Sequence, residues 1–211
     1  MYILHWEYMA GSIVAQAMLE EMKAGYRLRY VDMAAGEHQQ SDYLRVNPAA
    51  RVPALGLPEG ITIGETAAIV TVLGERHPES GLTPQPGNKD RATFLFWLSV
   101  MATSGYLTVS RMCHPERYAS DEDAIRQVEA AAAADLEKFF DVMERAISGQ
   151  TFLSRGFTVL DIYLTMLTEW SKDKHALFST RPALSQLCQA VERRPSYRAA
   201  MITHQLPRQA A

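Results

Sequence analysis

The sequence predicts an α/β domain with a small mixed sheet, followed by an all-helical domain. Three observations carry this. Up to residue 76, short runs of β-formers alternate with stretches that are apolar at helical spacing, in the order β-α-β-α-β-β-α. Residues 78–88 then gather Pro78, Gly81, Pro84, Pro86 and Gly87, the composition of a linker. Beyond residue 88 no convincing strand pattern occurs, and apolar residues recur at intervals of three and four. The expected division is 1–77, a linker over 78–88, and 89–211.

Residues 2–6, Tyr-Ile-Leu-His-Trp, read as a first strand. Ile13, Val14, Ala17, Met18 and Met22 share one helical face, and Ser12 is the expected N-cap of that helix. Residues 27–32 read as a second strand. Residues 41–46 make a short helix that ends before Asn47-Pro48, because the residue before a proline is pushed out of the helical region. Residues 54–57 and 60–63 form a hairpin around Pro58-Glu59-Gly60, and 65–76 a helix stopped by His77-Pro78. In the second part, residues 91 to about 109 form a helix with Phe94, Leu98, Met101 and Ala102 on one face. Ser120 with Asp123 marks the next helix start, and an apolar stripe from Val128 to Ile147 follows. Thr158 with Asp161 opens a further helix as a capping box, a structural role for Asp161. Its apolar residues cover most of the circumference, which predicts burial. Residues 182–191 and 196 to about 204 complete the helical domain.

Composition narrows the function. The 211 residues are 47% hydrophobic and 21% charged, enough for a sizeable core. A net charge of −3 without clustered Lys and Arg argues against nucleic acid as partner. The first residues lack the pattern of a signal peptide, and no uncharged apolar run reads as long enough to span a bilayer, residues 157–170 coming closest. Cys113 and Cys188 fit reduced thiols better than a disulfide framework, and their spacing makes no metal site. A cytoplasmic protein without a membrane or metal partner is expected.

Two segments carry the chemistry. Pro53, in Val52-Pro53-Ala54-Leu55, stands where a strand should begin. A cis bond there would turn the Val52 backbone outward, free to pair with an extended peptide. Gly64-Glu65-Thr66 then puts a carboxylate and a hydroxyl at a helix start, where free N–H groups and the helix dipole favour an anion. Together they suit a small peptide with a carboxylate at one end and an amine at the other.

These residues resemble the glutathione transferases. The segments Arg51-Val52-Pro53-Ala54-Leu55 and Glu65-Thr66-Ala67-Ala68-Ile69 carry the resemblance, with Asn47-Pro48, Arg76-His77-Pro78 and Phe157-Thr158-Val159-Leu160-Asp161. It extends over nearly the whole chain and suggests the bacterial cytosolic members. It implies a thioredoxin-like first domain that holds glutathione through Arg51, Val52, Pro53, Glu65 and Thr66. It also implies a helical second domain with a pocket for a small hydrophobic electrophile at Trp97, Met101, Tyr106, Arg111, Met112 and His114, a homodimer, and a role in detoxification.

Glutathione chemistry needs a thiolate, and a free thiol is only a few per cent ionised at neutral pH. In the family a Tyr, Ser or Cys after the first strand stabilises it. The common bacterial Ser-Pro-Gly is replaced here by Glu7-Tyr8-Met9, while Gly11-Ser12 preserves a small residue plus Ser. Ser12 is the first choice for the hydroxyl donor and Tyr8 the second. Glu7 is awkward, because a carboxylate beside a thiolate raises the thiol pKa. The implied activity is attack of the glutathione thiolate on an electrophilic carbon. Alternatives are a non-catalytic ligand- or protein-binding protein of the same fold, or another glutathione-dependent enzyme for isomerisation, dehalogenation or ether cleavage. With no Cys before Cys113, a thiol–disulfide oxidoreductase is disfavoured.

Overall fold

Four short strands near the N-terminus are joined so that their loops collect at one end of a sheet. The computed structural model of the protein describes residues 1–205. Among the described residues it comprises two compact units, Met1–Pro86 with residues 192–205, and Gly87–Val191. Residues 206–211, the end of the expected helical domain, lie outside the described residues.

The first unit runs β1 (Tyr2–Trp6), α1 (Ser12–Glu21), β2 (Tyr26–Tyr30), α2 (Ser41–Val46), β3 (Ala54–Gly56), β4 (Thr62–Gly64) and α3 (Thr66–Arg76). The sheet order is β2-β1-β3-β4. β1 and β2 are parallel, as the helical crossover α1 requires, whereas β3 is antiparallel to both β1 and β4. This is the small mixed sheet of a thioredoxin-like domain, and the element order is the one read from the sequence. The second strand lies one to two residues earlier than expected, and the hairpin strands are shorter. On β1, Tyr2, Leu4 and Trp6 are buried while Ile3 is exposed, the period of a strand covered on one face. Ile69, Val70 and Leu73 of α3 join that core. Every residue from Ser12 to Leu19 of α1 is buried.

The burial of α1 on all sides has a cause far along the chain. The last helix, α10 (Pro195–Gln205), packs against α1 rather than with the other late helices. The Glu21 carboxylate accepts from Arg194 Nε and Nη2 at 2.6 and 2.8 Å and from the Ser196 hydroxyl. Near the other end of α10, Gln16 Nε2 donates to Thr203 Oγ1 at 3.0 Å.

The second unit contains α4 (Arg91–Val100), a π-helical turn (Met101–Tyr106), α5 (Leu107–Cys113), α6 (Glu122–Ala146), α7 (Val159–Thr168), α8 (Lys174–Ser179) and α9 (Pro182–Glu192). Residues 91–113 form a single run of 23 residues, long and apolar enough by length and composition to cross a membrane, a test that core helices also meet. This corrects the expectation that no such run exists; Ser and Thr within 92–110 hide its length. Gly105 in the π-helical turn has a packing reason. A Cβ there would stand 2.7 Å from Phe139 Cζ and 2.8 Å from Leu167 Cδ1, so only glycine lets α6 and α7 approach this closely.

Capping separates two expectations. At α7 the box forms as read. Asp161 accepts from the Thr158 and Phe152 amides at 2.8 and 2.7 Å, and all ten helix residues are buried. At α6 the cap is Asp121, whose carboxylate accepts from the Ala124 amide at 2.9 Å, in place of the expected Ser120. At α1 the N-cap is Gly11 with no side-chain cap, and Ser12 is the first helical residue. Cys113 and Cys188 form no disulfide.

Candidate functional site

The sheet register brings three loops together. His5 pairs with Ala54, and Ala54 pairs with Gly64. The C-terminal end of β1, the start of β3 and the end of β4 therefore share one end of the sheet. From this end emerge the β1–α1 turn, the loop leading to β3, and Glu65 at the head of α3. Each carries one non-glycine residue at positive φ: Met9 at 44°, Ala50 at 53° and Glu65 at 60°. Side chains avoid that region, and residues held in it cluster at functional sites.

In the β1–α1 turn Glu7 is buried. Its carboxylate accepts from the Tyr8 amide at 2.7 Å and from the Met33 amide, beyond β2, at 3.0 Å. The carboxylate therefore ties the turn to the segment after β2. Tyr8 is half-buried, its ring 5.0 Å from Trp6 and 5.2 Å from Tyr30. Ser12 has 0% exposure, and its hydroxyl donates to the Glu7 carbonyl across a long 3.4 Å. As the first residue of α1 it offers a ligand no surface in this structure.

In the second loop the Val52-Pro53 peptide is cis, as expected. The Arg51 carbonyl accepts from the Tyr43 hydroxyl at 2.7 Å and from Asn47 Nδ2 at 2.8 Å. Burial pushes the Tyr43 phenol up to about 12, so it stays a proton donor. Asn47 is itself buried and also accepts from the Ala49 amide at 3.1 Å. The Arg51 side chain is exposed.

At the third loop, Glu65 is exposed and makes no side-chain cap on α3; the first helical bond is Ile69 N–H to the Glu65 carbonyl at 2.9 Å. Thr66 beside it is buried. The helix therefore opens with no Glu65 carboxylate oxygen closing its first amides, at the positive end of its dipole. A Cβ at Gly64 would stand 3.0 Å from Asn47 Nδ2, tight enough that the Asn47 side chain would have to shift. Asn47 thus touches both the second and the third loop. A separate cavity of about 590 Å³ lies between β1, β2 and α2, lined by residues including His5, Arg29 and Tyr43. It contains none of the site residues expected from the sequence.

Comparison with known proteins gives this geometry its context. The family described as glutathione S-transferase, N-terminal domain, matches residues 13–76, from α1 through α3. Glutathione S-transferase GstA of Escherichia coli O157:H7 is 27% identical over 167 residues, 77% of this chain and 78% of its own. A sphingomonad glutathione S-transferase, solved in complex with glutathione, is 27% identical and matches 97% of this chain and 100% of its own with a TM-score of 0.84. Residues 13–76 match the N-terminal domain of glutathione S-transferases, and nearly the whole chain is similar to solved members of that family. A glutathione transferase homologue from Sulfitobacter, solved with bound glutathione, shares the fold at a TM-score of 0.89 over 98% of this chain and 99% of its own, with 24% identity.

The residues expected to form an acceptor pocket lie in the second unit, along residues 97–114. Met101 and Met112 are buried in the second unit, and Trp97 packs edge-on against Phe152 with ring centres 5.3 Å apart. Tyr106 meets Trp170 at 5.6 Å, and Arg111 donates to Thr108 Oγ1 at 3.0 Å. His114 is exposed, its Nδ1 3.4 Å from Glu116. Met101 and Met112 are packed within the second unit, a placement that helical spacing in the sequence does not distinguish from a pocket wall. The residues that sequence reasoning missed are Tyr43 and the Asn47 side chain. Asn47-Pro48 was legible as a motif, but only the fold reveals that its amide reaches Arg51.

Proposed function

We propose that this protein is a glutathione transferase that holds glutathione across the three loops and activates its thiol for attack on a hydrophobic electrophile. The observation that supports this best is Glu65, an exposed carboxylate at positive φ that caps nothing at the head of α3. In this reading Glu65 meets the amine of the γ-glutamyl end, and Thr66 with the first α3 amides takes its carboxylate. The tripeptide lies extended along the Val52 backbone beside Pro53, and Arg51 meets the glycine carboxylate.

The sulfur then faces the β1–α1 turn. Lowering a thiol pKa by about two units stabilises the thiolate by about 2.7 kcal/mol. Tyr8 is the hydroxyl donor of this reading, since Ser12 is enclosed. The Glu7 carboxylate is held in place by the Tyr8 and Met33 amides, and in this reading the donor to the sulfur must outweigh its charge. The thiolate forms the C–S bond while the leaving group departs with its electron pair, and holding both reactants together supplies most of the rate. Leu95, Phe96 and Leu107 stand exposed along 91–113, Phe96 at 58%, and support a homodimer through this face.

A second reading, a glutathione binder without turnover, is favoured by the packing of Tyr8 against Trp6 and Tyr30. Calorimetric titration with glutathione tests the shared part: no measurable binding sinks both readings. Turnover with a panel of electrophiles, and the ultraviolet absorbance of bound thiolate, then separates enzyme from binder. Light scattering at micromolar concentration should give about twice the 23.6 kDa chain mass.

A further inference from the structure

We propose that His204, near the end of the last helix, is a positioning residue for the β1–α1 turn, fixing the orientation of Tyr8 through Trp6 and the Glu7 backbone. Its ring centre lies 5.1 Å from Trp6 at 72°, and Trp6 in turn lies 5.0 Å from Tyr8 at 67°. Edge-to-face pairs at these separations hold a definite ring geometry. The three rings thus form a file from α10 to the site, nearly 200 residues away along the chain.

Three further observations support a specific role. First, α10 is held at both ends, by Glu21 with Arg194 and Ser196 and by Gln16 with Thr203, so the ring that follows Thr203 is delivered to a fixed place. Second, His204 is 1% exposed and neither ring nitrogen has a partner in hydrogen-bond geometry. A phenylalanine or leucine would fill such a place without stranding two polar atoms, so packing alone explains this residue poorly. Burial lowers the ring's pKa, and the Glu7 backbone is the polar group that opposes this without reaching hydrogen-bond geometry. Third, the Ser12 hydroxyl reaches the Glu7 carbonyl only across 3.4 Å, and Met9 sits at φ 44° two residues later. A turn in that conformation persists only where its surroundings determine it, and His204 with Trp6 supplies such surroundings.

The consequence for turnover rests on the transferase reading, whereas the positioning itself does not. The experiment therefore has two arms on His204→Ala, His204→Phe and the exposed α10 control Ile202→Ala. Hydrogen exchange of the amides at 8–11 should quicken at least about tenfold in His204→Ala, with protection of the β1–β2 ladder unchanged. His204→Phe, which keeps the edge contact but carries no polar atom toward the Glu7 backbone, should recover only part of the protection, and Ile202→Ala should match wild type. In turnover, His204→Ala should lower kcat by about 10- to 10²-fold while the KM for glutathione changes less than about twofold, since misplacement affects the reacting atom and not the tripeptide's ends. Unchanged exchange at 8–11 overturns the proposal. A wild type that fails to bind glutathione sinks the transferase reading and leaves the exchange arm decisive. If His204→Ala does not fold, His204→Gln is measured in its place against the same expectations.

Discussion

The Tyr43 hydroxyl donates to the Arg51 carbonyl at 2.7 Å, linking α2 to the residue before the cis Val52-Pro53 bond. Asn47 Nδ2 donates to the same oxygen at 2.8 Å. One carbonyl thus fixes the second loop from two sides, and the Asn47 amide packs on Gly64 at the head of the third loop.

Asn47→Ala should destabilise the protein by about 1–3 kcal/mol, the range for a lost buried amide whose partners stay behind. Tyr43→Phe should cost about 1 kcal/mol, because Asn47 still satisfies the oxygen. Gly64→Ala should cost about 1–3 kcal/mol by crowding Asn47, and less in an Asn47→Ala background. Urea melts of the double-mutant cycle check this; strictly additive losses would mean that the two residues do not meet.

Glu65→Gly should raise stability by about 1 kcal/mol by releasing a side chain from φ 60°, and should weaken glutathione binding. Glu65→Ala should melt close to wild type, because no cap is lost, while losing about 1.5–3 kcal/mol of binding from a charge-assisted hydrogen bond. Thermal melts beside calorimetry decide. A Glu65→Ala variant that melts early and binds normally would return this residue to a structural role.

Tyr8→Phe should lower turnover by about 10²-fold with binding kept, as expected for one donor to developing charge. Ser12→Ala should leave the thiolate titration unchanged, since its hydroxyl is enclosed and directed at the Glu7 carbonyl. Thiolate absorbance against pH compares the two. Loss of the neutral-pH thiolate in Ser12→Ala but not in Tyr8→Phe would reverse the assignment.

His204 predicts a pH dependence of stability. Burial lowers its pKa from 6.5 to about 4 in the fold. Above 6.5 neither folded nor unfolded chain holds the proton, and the contribution is intact. Between 6.5 and 4 the unfolded chain binds it and the folded chain does not, so stability falls by about 3 kcal/mol on acidification. His5, also lowered by burial and by Arg29, acts in the same sense. Denaturant melts from pH 7 to 4 should show a shallower fall for His204→Phe than for wild type; parallel curves would mean that the ring already protonates freely in the fold.

The sequence by itself determined the order of elements and two of the three loops. Pro53, Glu65-Thr66 and the Thr158–Asp161 box are legible because their physics is local: a proline's isomer, a helix start and a reciprocal cap all lie within a few residues. Tertiary structure decided what depends on distant packing. Ser12 looks like a cap until the fold places the cap at Gly11, and the place of the Glu7 carboxylate is set by the distant Met33 amide. Met101 and Met112 carry the same spacing whether they face a ligand or a core. His204 and Asn47 act through contacts on residues they neither adjoin nor resemble in pattern, so only the folded register, which pairs His5 with Ala54 and Ala54 with Gly64, brings their partners within reach.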